Sequence, residues 1–273
     1  MTYLYAHPVE ESIRARIMDE LTLIEQKHQV YIIYACESGS RGWGFASPDS
    51  DYDVRFLYVH QLPWYLNVEA QRDVIELPIS DELDISGWEL RKALQLFRRS
   101  NPTLFEWLNS PIVYRKEEEI TGKLQTLAAQ FYHTTKGQWH YLNMARNNFR
   151  GYLKGEQIRL KKYLYVLRPI LAVQWIHAGL GVPPMRFAEL AEKTVTDHRL
   201  KEEINALLRI KMSSGEAEYG TPYPQIQAFI ENFFDTHDIP EPGPEDRTSG
   251  DLEQLNALLY KTVIQFSHMT VPL

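Results

Sequence analysis

Two aspartates in the first quarter of the chain have the residue type and spacing to do chemistry. Asp51 and Asp53 are separated by one residue and enter the largely apolar run 54–59. Because successive side chains of a strand point to opposite faces, aspartates at this spacing share one face. Two neighbouring carboxylates repel each other, and such a pair either shares a proton or binds a cation. The pair therefore predicts a divalent cation site at the beginning of a strand.

A Gly-Ser pair lies upstream of these aspartates. Gly39 and Ser40 follow the buried-strand run 30–35 and precede Asp51 by a spacer, residues 41–50. Glycine permits close backbone approach, and the exposed N–H groups of a turn or helix start at this point form a phosphate site. Each element alone also fits an ordinary polar turn. The order strand, Gly-Ser, spacer, Asp-x-Asp and strand favours Mg-nucleotide chemistry.

Two competing motifs do not fit this stretch. Asp49, Asp51 and Asp53 begin like an EF-hand loop, but the sixth position is Val54 instead of glycine and the twelfth is His60 instead of glutamate. A P-loop is excluded because no Gly-Lys-Ser/Thr follows the glycines.

The stretch ESGSRGWGFASPDSDYDVR, residues 37–55, resembles the hG[GS], spacer, DhD signature of the DNA polymerase β-like nucleotidyltransferase superfamily. Its amino-acid sequence is similar to that of the predicted nucleotidyltransferases associated with RNA ligase and RNA repair, and the resemblance extends over most of residues 28–180. It implies that Asp51 and Asp53 hold two Mg²⁺ ions. It also implies that the triphosphate is bound by the residues of the Gly-Ser turn, which are Gly39, Ser40 and, as a second phosphate contact, Arg41.

The same resemblance implies a third carboxylate on a strand adjacent to the Asp-x-Asp strand. Asp84, within the strand-like run 82–87, is the best match. An alternative is that Asp84 caps the helix that follows, since aspartate is a good N-cap residue. Asp81, in a polar turn three residues earlier, is the second choice for the third acid.

A basic segment follows in the second half of the chain. Between residues 150 and 168 there are six basic residues and one acid, Glu156, in a protein of net charge −7. A solvated helix face is one explanation. In related nucleotidyltransferases a helical C-terminal domain contacts the triphosphate, and the run KKYLYVLRP is similar to that segment. The resemblance implies nucleotide contacts from Lys161, Lys162, Tyr165 and Arg168.

The chain as a whole is predicted to be α+β, with a mixed sheet and helices in domain 1–115 and an all-α domain at 116–273 that closes the nucleotide cleft. The composition changes after Tyr114, where strand-like runs give way to helical periodicity. The predicted strands are 30–35, 52–60, 73–77 and 82–87. The predicted helices are 9–26, 88–99, 103–109, 117–132, 137–154, 156–177 with a kink at Pro169, 186–193, 198–212, 225–237 and 251–268.

Composition excludes several classes of protein. The chain has 273 residues, 44% of them hydrophobic, with 29 basic and 36 acidic residues. The acidic balance disfavours a protein that coats nucleic acid. A single cysteine, Cys36, placed just after the first strand, argues against a disulfide scaffold or structural zinc. No secretory signal or membrane span is evident, so the cytoplasm is the expected compartment.

The predicted reaction is transfer of a nucleoside monophosphate from a nucleoside triphosphate to an acceptor hydroxyl, with release of pyrophosphate. The family resemblance makes an RNA end the first choice of acceptor. Two alternatives belong to other classes: an antitoxin-like or regulatory module that keeps the fold and binds a protein partner, and a small-molecule nucleotidyltransferase of the aminoglycoside type.

Overall fold

The computed structural model describes residues 9–79, 82–153, 158–213, 219–220, 223–238, 241–243 and 250–267. These residues pack into two compact units. The sheet unit comprises the described residues of Pro8–Gly42, Asp51–Phe131 and Thr248–Leu273. The helical unit comprises the described residues of Trp43–Ser50 and Tyr132–Arg247. The α+β prediction is confirmed.

A mixed five-stranded sheet forms the centre of the sheet unit. Its strands are β1 (Val30–Glu37), β2 (Tyr52–His60), β3 (Val74–Glu76), β4 (Leu83–Glu89) and β5 (Val113–Lys116). Their order is β3-β4-β2-β1-β5. The β2–β4 pair is parallel, whereas the other neighbours are antiparallel. Residues 30–37 are all buried, as expected for a central strand with apolar residues on both faces.

Helices account for most of the remaining structure. They are α1 (Glu11–His28), α2 (Gly39–Trp43), α3 (Leu62–Tyr65), α4 (Leu90–Arg98), α5 (Pro102–Leu108), α6 (Glu118–Phe131), α7 (Thr134–Tyr152), α8 (Lys162–His177), α9 (Phe187–Thr194), α10 (His198–Ser213), α11 (Pro224–Thr236) and α12 (Leu252–Ser267). In α1, Ile17, Leu21 and Ile24 recur at helical spacing and pack into the core of the sheet unit. Among the described helices, none has both the length and the apolar character to cross a membrane.

The sequence-based prediction missed β5. Residues after Tyr114 were expected to be helical only, but Val113–Lys116 pairs with β1, with Tyr34 opposite Lys116 and Ala35 opposite Arg115. This edge strand is only four residues long and half polar, so its own composition carries little strand signal. Pairing with a strand nearly eighty residues earlier decides its conformation. Cys36, expected just after the first strand, lies inside β1 and is fully buried.

The beginning of the predicted helix 156–177 was also wrong. The helix starts at Lys162, and residues 158–159 pair instead with residues 219–220 as a two-stranded ladder, β6 with β7. Residues 154–157 lie outside the described residues. Local periodicity could not reveal this pairing because the partner strand lies about sixty residues away.

Each of the two compact units is built from segments that are separated in the sequence. The predicted division between residues 115 and 116 remains a prediction about domains. Within the sheet unit, α6 packs against β1, and α12 packs against β2 and α4. The Leu62 N–H donates to Ser267 Oγ at 2.8 Å, and the rings of Tyr31 and Phe266 lie 5.2 Å apart. The last described helix is therefore part of the sheet unit.

His60, at the end of β2, gives a testable pH dependence. Its ring stacks on Trp64 at 4.3 Å, and burial, followed by the charge of His28, lowers the pKa of His60 from 6.5 to about 4. The unfolded chain therefore binds more protons than the folded chain between these values, so the stability associated with His60 is present above pH 6.5 and is lost as pH falls towards 4. In His60→Phe, which keeps the stacking, this loss should be smaller by on the order of 1 kcal/mol, after allowing for solvent screening of a partly exposed ring.

Urea unfolding of both proteins at pH 7 and pH 4.5 measures the effect. Equal losses of unfolding free energy on acidification would show that His60 is not the group responsible.

Candidate active site

The parallel pairing of β2 with β4 positions two of the predicted carboxylates. The register places Asp53 directly opposite Asp84. Both side chains are partly buried, 29% and 33% exposed. Asp51 is exposed and lies one residue before β2 begins at Tyr52. Asp53 and Asp84 therefore stand side by side on neighbouring strands, and Asp51 enters the same region from the preceding loop.

The alternative role of Asp84 as a helix cap is wrong. Asp84 lies inside β4, and the helix that follows, α4, is capped by Glu89. The Glu89 carboxylate accepts hydrogen bonds from the N–H groups of Arg91 at 2.7 Å and Lys92 at 3.3 Å. The other candidate for the third acid, Asp81, lies outside the described residues.

The electrostatics of Asp53 reflect this crowding. Burial raises the pKa of Asp53 above its ordinary value, the guanidinium of Arg55 opposes that rise, and the charges of Asp84 and Asp51 add to it. A cation near these three carboxylates would relieve both the repulsion and the cost of desolvation.

Arg55 is a site residue that the sequence analysis missed. Its guanidinium donates to Asp53 Oδ1 at 3.0 Å, to Asp84 Oδ2 at 2.7 Å and to the Asp84 carbonyl at 2.8 Å. The signal was available, since Arg55 lies two residues after Asp53 and so shares its strand face. Arg55 ties the two carboxylates together through one oxygen of each.

Glu37 is a second residue that was missed. It is fully buried at the end of β1, where Oε1 accepts the Asp53 N–H at 2.8 Å and Oε2 accepts the hydroxyl of Tyr114. Burial raises the pKa of Glu37 to about 7, against the opposing effect of these hydrogen bonds. The Glu37 carboxylate therefore fixes the backbone of Asp53.

Gly39 lies against Asp53 in a way that only glycine permits. It has φ of +54°, and a Cβ added there would lie 1.8 Å from Asp53 Oδ2. The preceding residue, Ser38, donates its N–H to the Asp53 carbonyl at 2.8 Å. The structure thus brings the Gly-Ser turn and Asp53 together, with Gly39 at the first position of α2.

The next two residues of the turn are also positioned in α2. Ser40 and Arg41 are each 7% exposed. The Arg41 guanidinium lies 3.8 Å from the centre of the Tyr52 ring, and its charge lowers the pKa values of Glu37 and Asp53. Arg41 therefore belongs to the electrostatic environment of the carboxylates, and its contact with phosphate stays a prediction.

The predicted basic residues lie in the helical unit, around the start of α8. Lys161 is 7% exposed at the N-cap position. The ammonium of Lys162 lies 4.2 Å from the ring centre of Tyr152 and 4.9 Å from that of Tyr165, a cation–π arrangement. Lys162 and Tyr165, which are both predicted nucleotide contacts, thus lie together, and their contact with a nucleotide stays a prediction.

Arg168 is in a different environment, inside the core of the helical unit. It is 2% exposed, its guanidinium lies 4.6 Å from the ring centre of Trp43, and it donates to the Met185 carbonyl at 3.3 Å. These contacts connect α8 with the segment of the signature that belongs to the helical unit.

The donor set fits magnesium better than a metal held by protein ligands alone. Among the described residues, no group of three or more His, Cys, Asp or Glu side chains is arranged to hold a metal ion. Mg²⁺ keeps several waters and is bound by one or two carboxylates together with substrate phosphates. Asp53 and Asp84, each with one oxygen not used by Arg55, supply such a pair beside the Gly-Ser turn.

Comparison with known proteins identifies the family. Residues 13–261 match the RlaP family, described as the RNA repair pathway DNA polymerase beta family. The chain belongs to this family. The resemblance predicted from residues 37–55 is therefore confirmed, and it extends across both compact units.

Two further proteins are similar to this RlaP family member. "Uncharacterized protein YcgL" of Bacillus subtilis (strain 168) is 47% identical over 257 residues, which cover 92% of this chain and 96% of YcgL. A crystal structure of a nucleotidyltransferase-like protein from Exiguobacterium sibiricum 255-15 is 12% identical, with 91% of this chain and 90% of that chain covered. Its TM-score is 0.28, so this likeness supports no conclusion about fold or function.

The close approach of Gly39 to Asp53 predicts the effect of a single methyl group. Gly39→Ala should lower the free energy of unfolding by about 1–3 kcal/mol, because alanine is strained at this φ and its Cβ displaces the Asp53 carboxylate. Gly122→Ala is the matched control, since no atom lies within 4 Å of a Cβ added in α6. It should raise stability by about 0.5–1 kcal/mol. Urea denaturation measures both, and equal effects would contradict the proposed contact.

Proposed function

We propose that the protein is a Mg-dependent nucleotidyltransferase that transfers a nucleoside monophosphate from a nucleoside triphosphate to an acceptor hydroxyl and releases pyrophosphate. The observation that carries this proposal is the register of β2 with β4, which pairs Asp53 with Asp84 beside the Gly39 turn. Membership of a polymerase β-like family supports the same class of reaction.

The carboxylates bind two Mg²⁺ ions in this proposal. Asp51, Asp53 and Asp84 would hold the ions, and Asp84 would either complete the site that activates the acceptor or take the acceptor's proton. When bound, Mg²⁺ stabilises the charge on the transferring phosphate and lowers the pKa of the attacking hydroxyl. Arg55 keeps Asp53 and Asp84 at a fixed separation, because it bonds one oxygen of each.

The backbone of Gly39 and the residues Ser40 and Arg41 bind the β and γ phosphates in this proposal. The first turn of a short helix directs N–H groups towards an anion, and Arg41 adds positive charge at the same place. The proposal also keeps Lys161, Lys162, Tyr165 and Arg168 as nucleotide contacts, as the family resemblance implies. The concentration of positive charge around α8 in an acidic protein supports their assignment.

An RNA end is the proposed acceptor, and ATP is the first nucleotide to test. The description of the family as part of an RNA repair pathway supports this choice. The free thiol of Cys36 is buried and agrees with the reducing cytoplasm as the proposed compartment.

Asp53→Asn tests the metal site directly. The substitution keeps the size of the side chain but removes the charge of a proposed metal ligand. Loss of a residue that only hydrogen-bonds to a metal ligand typically costs ~10–100-fold in activity. Loss of the ligand charge itself should therefore reduce the transfer rate by more than this. The assay incubates the protein with each of the four α-labelled nucleoside triphosphates, in the presence of either Mg²⁺ or EDTA. Three acceptor conditions are compared: RNA with a free 3′ hydroxyl, a panel of aminoglycosides, and no added acceptor. Asp19→Asn, at an exposed position of α1, is the charge-matched control and should retain full activity.

Transfer by a folded Asp53→Asn protein at the parent rate would refute this assignment. Transfer to aminoglycosides alone would move the protein to the small-molecule class. Tight triphosphate binding without transfer to any acceptor would favour a regulatory module.

Asp84→Asn separates an active enzyme from a nucleotide-binding module. Loss of the third carboxylate should spare triphosphate affinity and reduce the transfer rate by about 10²–10⁴-fold, the range for loss of a general base. Asp73→Asn is the control, because Asp73 is also an ion-paired aspartate of the sheet unit, 3.0 Å from Lys92 Nζ. Calorimetry for affinity and single-turnover kinetics for rate distinguish the two effects. An unchanged rate in Asp84→Asn would remove Asp84 from the reaction.

A further inference from the structure

Lys211 forms a buried polar cluster with two serines of the signature segment. Lys211 is 4% exposed near the end of α10, and its Nζ donates to Ser47 Oγ at 2.6 Å and to Ser50 Oγ at 3.3 Å. The two serine hydroxyls lie 2.9 Å apart, and the Ser47 N–H donates to Ser50 Oγ at 2.9 Å. Ser47 is fully buried and Ser50 is 7% exposed. All three residues belong to the helical unit.

Burying the ammonium group of Lys211 carries a cost in free energy. Removing a lysine charge from water costs several kcal/mol unless hydrogen bonds compensate for it, and an apolar side chain of similar volume is often as stable or more stable. What an apolar side chain could not do is bond both hydroxyls at once.

The cluster defines the geometry of a turn. The Ser50 N–H donates to the Ser47 carbonyl at 3.0 Å, so residues 47–50 form a tight turn, and Lys211 bonds the side chains at both of its ends. Ser50 is followed directly by Asp51, and β2 begins one residue later. Ser50 is therefore the last residue of the turn, and a single peptide bond joins it to Asp51.

We propose that Lys211 is a positioning residue: it holds the Ser47–Ser50 turn so that Asp51, the next residue of the chain, presents its carboxylate correctly to the metal-bound triphosphate. This inference rests on the proposed function for its effect on catalysis. It makes a residue about 160 positions away from the aspartates part of the active-site framework.

The first test is kinetic. Lys211→Met removes the charge and keeps a long side chain, and it should reduce kcat by about 10–10²-fold, as expected for a small misplacement of reacting groups. It should also raise the Mg²⁺ concentration for half-maximal activity, with little change in KM for the triphosphate. Asn205→Leu is the matched control, a polar-to-apolar change at another buried position of α10, where the amide donates within the helix to the Lys201 carbonyl. It should leave these parameters unchanged.

A double-mutant cycle tests the route through the serines. If Lys211 acts by holding Ser47, the double variant Ser47→Ala with Lys211→Met should be no slower than Lys211→Met alone. Two outcomes would overturn the inference, because Lys211 would then act on the substrate itself. One is that the activity losses of the two substitutions are additive. The other is that Lys211→Met loses activity while Ser47→Ala and Ser50→Ala both keep the activity of the parent.

The last test does not depend on catalysis. Hydrogen exchange, followed by mass spectrometry, should be faster in Lys211→Met than in the parent for peptides that span residues 43–53, and equal for peptides that span β5. Asn205→Leu should show no difference in either region. If the parent itself transfers no nucleotide, the proposed function fails, and the exchange result still decides whether Lys211 holds the turn. Parent-like exchange at residues 43–53 would overturn the inference, whatever the activity.

Discussion

The parallel register of β2 with β4 is the constraint on which the candidate site depends. It pairs Asp53 with Asp84 and, three positions further along, Phe56 with Gly87. The second pair fixes the first: a Cβ at Gly87 would lie 2.3 Å from the Phe56 ring, so this glycine makes room for the aromatic side chain on the core face. A slip of one residue would turn the carboxylates into the core and the apolar residues outward. Core packing on one face therefore holds the two carboxylates side by side on the other.

Two adjacent carboxylates need a positive charge even before a substrate arrives. Arg55 supplies it from the same strand, with one guanidinium bonded to both side chains and to the Asp84 carbonyl. Lysine could not replace it equally, because an ammonium is a point charge, whereas a planar guanidinium reaches several oxygens in a fixed geometry. Glu37 adds a second restraint by accepting the Asp53 N–H from the neighbouring strand β1. The site is thus pre-organised by hydrogen bonds that lie within the sheet.

Much of this arrangement could be predicted from local sequence, and the rest depended on contacts between distant residues. The Asp-x-Asp spacing, the Gly-Ser turn, four of the five sheet strands and the helices from α9 to α12 carry periodic or turn signals of their own. Strand β5 does not, because four half-polar residues become a strand only by pairing with β1. The same holds for residues 158–159, which pair with 219–220. Lys211 carries no signal in the sequence, since a lysine near a helix end is normally solvated, whereas the structure shows it 4% exposed and bonded to Ser47 and Ser50.

The middle of the signature segment belongs to a different unit from its ends. Gly39 and Asp53 lie in the sheet unit, whereas Trp43, Phe45 and Ser47 lie in the helical unit. Phe45 is fully buried, with its ring 5.7 Å from that of Phe187, and Trp43 lies against the guanidinium of Arg168. The spacer between the Gly-Ser turn and the aspartates is therefore not an ordinary polar loop, because Trp43 packs against α8 and Phe45 packs against α9. A chain anchored in this way has little freedom at Ser50, the last residue of the spacer.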